Sequence, residues 1–94
     1  MKHKILLLGI GFWGRRWLEL ILKSGRCQLA GAAGSEDEMQ EVCISYGINP
    51  AITFTDFRKA IARTAADIAV VVLPGVLHFE ADRLALEKGM NLIT

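Results

Sequence analysis

The sequence predicts an α/β domain: a parallel sheet with strand order 3-2-1-4-5 and helices on both faces. Three observations carry that expectation. Short apolar runs alternate with stretches of helical periodicity from end to end of the chain. The helical stretches are about ten residues long, which suits crossovers between parallel strands rather than hairpin turns. A glycine-rich turn, Gly9-Ile10-Gly11-Phe12-Trp13-Gly14, lies between the first apolar run and the first helix. Right-handed crossovers leave few ways to join such units. They put a crevice between the carboxyl ends of strands one and four.

Lys4–Leu8 is an apolar run bounded by glycine, as a strand buried on both faces should be. Trp17, Leu18, Ile21 and Leu22 recur at helical spacing between Trp13 and Ser24, and Gly25 offers a stop. Gln28–Ala33, rich in small residues, reads as the second strand. Ser35 followed by Glu38 has the spacing of a capping box. Met39, Val42, Cys43 and Tyr46 then form one apolar stripe, closed by Gly47. Asn49-Pro50 marks a turn. Ile52–Phe54 is a short third strand, and Thr55 or Asp56 caps a helix that turns Phe57, Ala60 and Ile61 inward. Ile68–Leu73 is β-branched and continuous, ending at Pro74-Gly75. Leu77, Ala81, Leu84 and Ala85 give the last helical stripe, Gly89 stops it, and Met90–Ile93 is a fifth strand.

Ninety-four residues allow one domain at most. A chain this small buries only about 60–65% of its unfolded surface. Yet 52% of its residues are apolar. Either almost all of these lie in a sheet covered on both faces, or some face a missing partner. We therefore expect the isolated chain to self-associate, and a homo-oligomer is compatible with it. The net charge of +1, with no basic run, argues against a nucleic-acid partner. No apolar stretch approaches the roughly 18 residues of a membrane span, and none has the form of a signal peptide. Cys27 and Cys43 have no metal-type spacing, so no metal is expected. They read as reduced, buried thiols of a cytoplasmic protein.

The glycine turn carries the chemistry. Gly9, Gly11 and Gly14 fit G-x-G-x-x-G in the strand-to-helix context that makes this pattern specific. The first glycine permits the turn, the second a close approach of backbone to a pyrophosphate, the third tight helix–strand packing. The helix N-terminus adds free N–H groups and partial positive charge. A dinucleotide, NAD or NADP, is the expected ligand. Phe12 and Trp13 either wall the crevice or pack on a neighbouring domain. Arg15 and Arg16 either meet a phosphate or form a solvated pair. An acid that would bind the adenosine ribose is expected after strand two, but Gly34-Ser35 stands there. Its absence, with a Ser35 hydroxyl to donate, tips the choice toward NADP. Leu73, Pro74 and Gly75 would shape a loop under the nicotinamide. His78 either points into the crevice or is structural.

With these residues in view, the chain resembles the N-terminal domain of the Gfo/Idh/MocA oxidoreductases. The likeness runs from Lys4 to Thr94. It rests on the glycine turn with Arg15-Arg16, the Tyr46-Gly47 helix end and the Ile68–Pro74…His78 stretch. It implies a Rossmann domain that binds NAD or NADP for hydride transfer on a sugar-like or other small hydroxy or carbonyl substrate. It places Gly9, Gly11 and Gly14 at the pyrophosphate, and Pro74 and His78 beside the nicotinamide. It also implies a second, substrate-binding domain, so residues 1–94 read as the cofactor part of a longer protein, without catalytic residues of its own. Three positions depart from the family pattern: Gly75 where an Asn is frequent, Trp17 where a His is frequent, and Gly34 in place of the acid. The alternatives are a stand-alone nucleotide-binding or regulatory module without redox activity, and a methyltransferase-like or coenzyme A-binding domain.

Overall fold

The computed structural model describes residues 2–94. The chain runs β1 (His3–Leu8), α1 (Phe12–Lys23), β2 (Cys27–Ala33), α2 (Glu36–Tyr46), a 3-10 turn (Pro50–Ile52), β3 (Thr53–Phe54), α3 (Phe57–Arg63), β4 (Ile68–Val71), α4 (Gly75–Glu87) and β5 (Asn91–Ile93). The five strands form one sheet in the order β3-β2-β1-β4-β5, and every pairing is parallel. This is the predicted topology.

Side chains alternate across β1, so its residues feed two cores. Ile5 and Leu7 join Leu18 and Ile21 of α1 and Met39 and Val42 of α2. Leu6 and Leu8 join Ala60 and Ile61 of α3 and Ala81 and Ala85 of α4. Leu6, Leu7, Leu8, Ile10 and Leu18 are fully buried. Truncating any one to Ala would cost about 2–5 kcal/mol, a large share of a small domain's stability. β1 is thus the element on which the fold depends most.

Polar contacts tie the helices in pairs. On one face Arg15 pairs with Glu41 at 2.7 Å, and the Tyr46 hydroxyl donates to Glu19 at 2.9 Å. On the other, the Arg58 guanidinium donates to both carboxylate oxygens of Glu80 at 2.6 and 2.7 Å. Lys88 Nζ reaches the carbonyls of Ile61 and Ala62 at the carboxyl end of α3. The capping box forms as expected: Ser35 Oγ accepts from Glu38 N–H at 3.2 Å, and Glu38 Oε1 accepts from Ser35 N–H at 2.9 Å. Gly47 closes α2 in the left-handed conformation, φ 67°. Asp56 rather than Thr55 caps α3, accepting from Arg58 N–H.

Four details differ from the sequence reading. β4 ends at Val71, not Leu73. Val72 N–H still donates to Leu8 O, but β1 turns away at Gly9, so nothing remains to pair with Leu73. Gly75 is the first residue of α4 rather than part of a loop, with Pro74 as its cap. Leu22 is 45% exposed, because the buried stripe of α1 centres on Gly14, Leu18 and Ile21. Cys27 and Cys43 are free, but half-buried rather than buried.

Candidate functional site

Three glycines shape the end of β1, for different reasons. Gly9 has φ 102°, and a Cβ there would lie 2.7 Å from the carbonyl oxygen of Val72, just past the end of β4. A Cβ on Gly14 would strike the carbonyl oxygen of Gly9. The protein's own packing therefore demands both. Gly11 is different: a Cβ there would meet nothing within 4 Å. Nothing inside the chain requires a glycine at this position, so the bare backbone faces open space that a ligand can enter.

Unpaired backbone amides follow Gly11 directly in the chain. The first intrahelical bond of α1 runs from Arg15 N–H to Gly11 O. The N–H groups of Phe12, Trp13 and Gly14 precede it and lack a carbonyl one turn back. No side chain caps them. A diphosphate supplies the acceptors such a helix end lacks, and the local dipole favours its charge. The residues present fit the pyrophosphate of a dinucleotide.

A cleft of 560 Å³ opens from the turn across the carboxyl ends of the strands. Gly9, Ile10 and Gly11 line one part of it. Ala33, Gly34, Ser35 and Glu38 wall it after β2, Thr55 and Phe57 after β3, and Val72, Leu73, Pro74 and Leu77 after β4. This is the crevice expected between β1 and β4, extended toward β2 and β3.

Of the residues singled out from sequence, Gly9, Gly11, Ser35, Leu73 and Pro74 stand in the cleft wall. Phe12, Trp13, Gly14, Gly75 and His78 do not. Phe12 and Trp13 stack edge to face at 5.2 Å and are 66% and 64% exposed. Gly14 serves the packing beneath the turn. The His78 ring sits between the cleft-wall loop and its own helix, with Nδ1 3.4 Å from Leu73 O and Nε2 3.6 Å from Asp82 Oδ2. Neither arginine of α1 stands in the cleft wall. Arg15 is taken by Glu41, which raises its pKa, and Arg16 lies 5.2 Å over the Phe12 ring.

Sequence reasoning missed Glu38, Thr55, Phe57 and Leu77 as cleft residues. For Glu38 the signal was present: a capping box folds its third-position carboxylate back over the residues before the helix. Among the described residues no group of three or more His, Cys, Asp or Glu could hold a metal ion, and no helix is long and apolar enough to cross a membrane.

Comparison with known proteins agrees with this architecture. The mouse mitochondrial alpha-aminoadipic semialdehyde synthase is 25% identical over 99% of this chain, which spans 10% of that protein. The uncharacterized protein y4oX of Sinorhizobium fredii is 26% identical over the whole chain, which spans 28% of it. Two solved structures share the fold. Scyllo-inositol dehydrogenase of Lactobacillus casei, with bound NAD(H) and scyllo-inositol, matches 98% of this chain and 27% of its own, with TM-score 0.87 and 22% identity. Biliverdin reductase of Synechocystis, in complex with biliverdin and NADP+, matches 95% of this chain and 28% of its own, with TM-score 0.83 and 19% identity. The family model described as oxidoreductase family, NAD-binding Rossmann fold, matches residues 3–94. That match runs through every strand and helix described above, and the chain belongs to the Gfo/Idh/MocA oxidoreductase family as its NAD-binding Rossmann domain.

Proposed function

We propose that residues 1–94 form a single domain that holds NAD or NADP by its pyrophosphate at Gly11 and the amides of Phe12, Trp13 and Gly14. The domain is the cofactor half of an oxidoreductase acting by hydride transfer on a sugar-like or other small hydroxy or carbonyl substrate. The observation that carries this reading is the unfilled space at Gly11, beside two glycines that the packing itself explains. When bound, the nicotinamide supplies the hydride chemistry. The chain's own residues bind and orient it: Leu73, Pro74 and Leu77 line the apolar side toward β4, and Ser35 and Glu38 line the opposite end.

Hydride transfer also needs a proton donor or acceptor beside the nicotinamide. The cleft wall holds no His, Lys, Cys or Tyr among the described residues. We therefore assign these residues binding without turnover, with substrate and proton handled by a second domain. The free thiols of Cys27 and Cys43 support a cytoplasmic setting. Exposed Phe12, Trp13, Val76 and Phe79 support a further copy or domain as partner.

Calorimetric titration with NAD, NADP, S-adenosylmethionine and coenzyme A tests the reading. At least one dinucleotide binds and the other two compounds do not. Heat from S-adenosylmethionine or coenzyme A alone would sink it. The choice between NAD and NADP turns on the end of β2: the missing acid at Gly34 speaks for NADP, and the position of Glu38 speaks against it.

A further inference from the structure

We infer that Glu38 supplies the carboxylate that Gly34 lacks, accepting the adenosine ribose hydroxyls and turning the cleft toward NAD and away from NADP. This rests on the dinucleotide reading above and fixes which of the two cofactors the cleft prefers.

The juxtaposition is direct. A Cβ built on Gly34 would lie 3.0 Å from Glu38 Oε1. The carboxylate of Glu38 thus lies directly beside the place where a side chain at position 34 would begin. An acid after the second strand normally reaches the ribose from that place. Here the acid arrives from the first turn of α2 instead, folded back by the capping box. A glycine at 34 leaves room for it, since a side chain there would crowd Oε1 and the Met39 methyl, also 3.0 Å away.

The capping box also holds the carboxylate in place. Oε1 takes the Ser35 N–H at 2.9 Å. A carboxylate offers about four acceptor sites on its two oxygens, so Oε2 is left to accept from a ribose hydroxyl. The same bond engages the Ser35 amide, and Ser35 Oγ accepts from Glu38 N–H. The Ser35 amide is thus spent within the cap, and only its hydroxyl proton is left to donate to a ligand.

Charge decides the direction. Glu38 is the only charged residue in the cleft wall among the described residues. No cation stands there to hold a 2′-phosphate: Arg15 pairs with Glu41, and Arg16 lies over the Phe12 ring outside the cleft wall. A 2′-phosphate would bring negative charge against Glu38, with Glu36 and Asp37 in the same helical turn. Juxtaposed like charges are strongly unfavourable. A ribose 2′-hydroxyl would instead gain a charge-assisted hydrogen bond.

The test is Glu38→Gln in the full chain, with circular dichroism to confirm the fold. Gln keeps the shape and can still accept from Ser35 N–H, so the cap survives. NAD and NADP are titrated against both proteins, with ADP-ribose and its 2′-phosphate as minimal probes. The unsubstituted chain should prefer NAD by roughly tenfold or more, the worth of one hydrogen bond to a charged group. Glu38→Gln should bring the two cofactors to within about threefold, by weakening NAD and strengthening NADP. Equal binding by the unsubstituted chain, a preference for NADP, or an unchanged ratio in the variant would overturn the assignment while leaving the dinucleotide site intact. Binding of neither dinucleotide would overturn the site and this assignment together.

Discussion

Gly14 is seated against Gly9, so closely that a Cβ on the one would strike the carbonyl oxygen of the other. Helix α1 therefore meets the end of β1 with no side chain between them. At Gly11, between the two in sequence, a Cβ would meet nothing. The three positions of one motif thus divide into two that the packing demands and one that faces open space, and substitutions should separate folding from the proposed binding.

Gly14→Ala should destabilise the domain by about 3 kcal/mol, the upper range for overpacking, because the obstacle is backbone and cannot swing aside. For a domain of this size that lowers the melting temperature by roughly 15 °C. Gly11→Val should leave the melting temperature within a few degrees, since its side chain enters open space. It should nevertheless abolish dinucleotide binding, because the isopropyl group fills the place of the pyrophosphate. Thermal melts and titrations on the two variants check both halves. A Gly11→Val protein that binds NAD or NADP normally would refute the placement.

The Arg58–Glu80 pair predicts how stability changes with acid. Accepting two hydrogen bonds from the Arg58 guanidinium lowers the Glu80 pKa below its ordinary 4.5. The folded form then binds protons less readily than the unfolded form, so the pair contributes fully above the unfolded pKa. That contribution disappears as the pH falls through the lower, folded value. Both side chains are substantially exposed, so the effect at neutral pH is small and salt-screened. Glu80→Gln should melt with a shallower decline between about pH 5 and pH 3 than the unsubstituted chain. Parallel acid limbs for the two proteins would show that the pair contributes nothing.

Ser35→Ala removes one half of the capping box while leaving the Glu38 carboxylate its bond from the residue 35 N–H. Loss of an N-cap costs about 1 kcal/mol, which corresponds to about 4–8 °C in melting temperature. If Ser35 acts only as a cap, cofactor affinity should change little once the fold is populated. A large drop in affinity for NADP alone would show that its hydroxyl contacts the 2′-phosphate after all.

The sheet order and the position of the cleft could be read from sequence because both follow from local signals: strand–helix alternation, the glycine turn, and a Ser35…Glu38 box at the expected spacing. What escaped lies in long side chains that choose partners across the sheet's layers. Arg15 is next to the phosphate site in sequence, yet reaches sideways to Glu41 on α2. His78 follows the proline that walls the cleft, yet its ring is held between the Leu73 carbonyl and Asp82 of α4. Glu38 was recognised as a cap, but its approach to Gly34 depends on how α2 is set against β2. The end of β4 was misread for a similar reason: Leu73 continues the apolar run, but whether it pairs depends on where β1 turns.

The exposed apolar residues predict association. Phe12 and Trp13 open α1, and Val76 and Phe79 lie one turn apart near the start of α4, 89% and 79% exposed. Both helices begin at the carboxyl ends of adjacent strands, on opposite faces of the sheet, so all four residues lie toward the same end of the domain. Burying four such side chains is worth about 6–12 kcal/mol, and bringing two bodies together costs about 4–15 kcal/mol. The two ranges overlap, so any such contact is weak, with a dissociation constant no tighter than about micromolar. Light scattering over a concentration series should show mass rising above the monomer at high protein concentration. The double variant Val76→Ser, Phe79→Ser should push that rise to higher concentration while leaving the melting temperature nearly unchanged, since neither side chain is buried. A monomer at every concentration would mean that this edge meets no second copy.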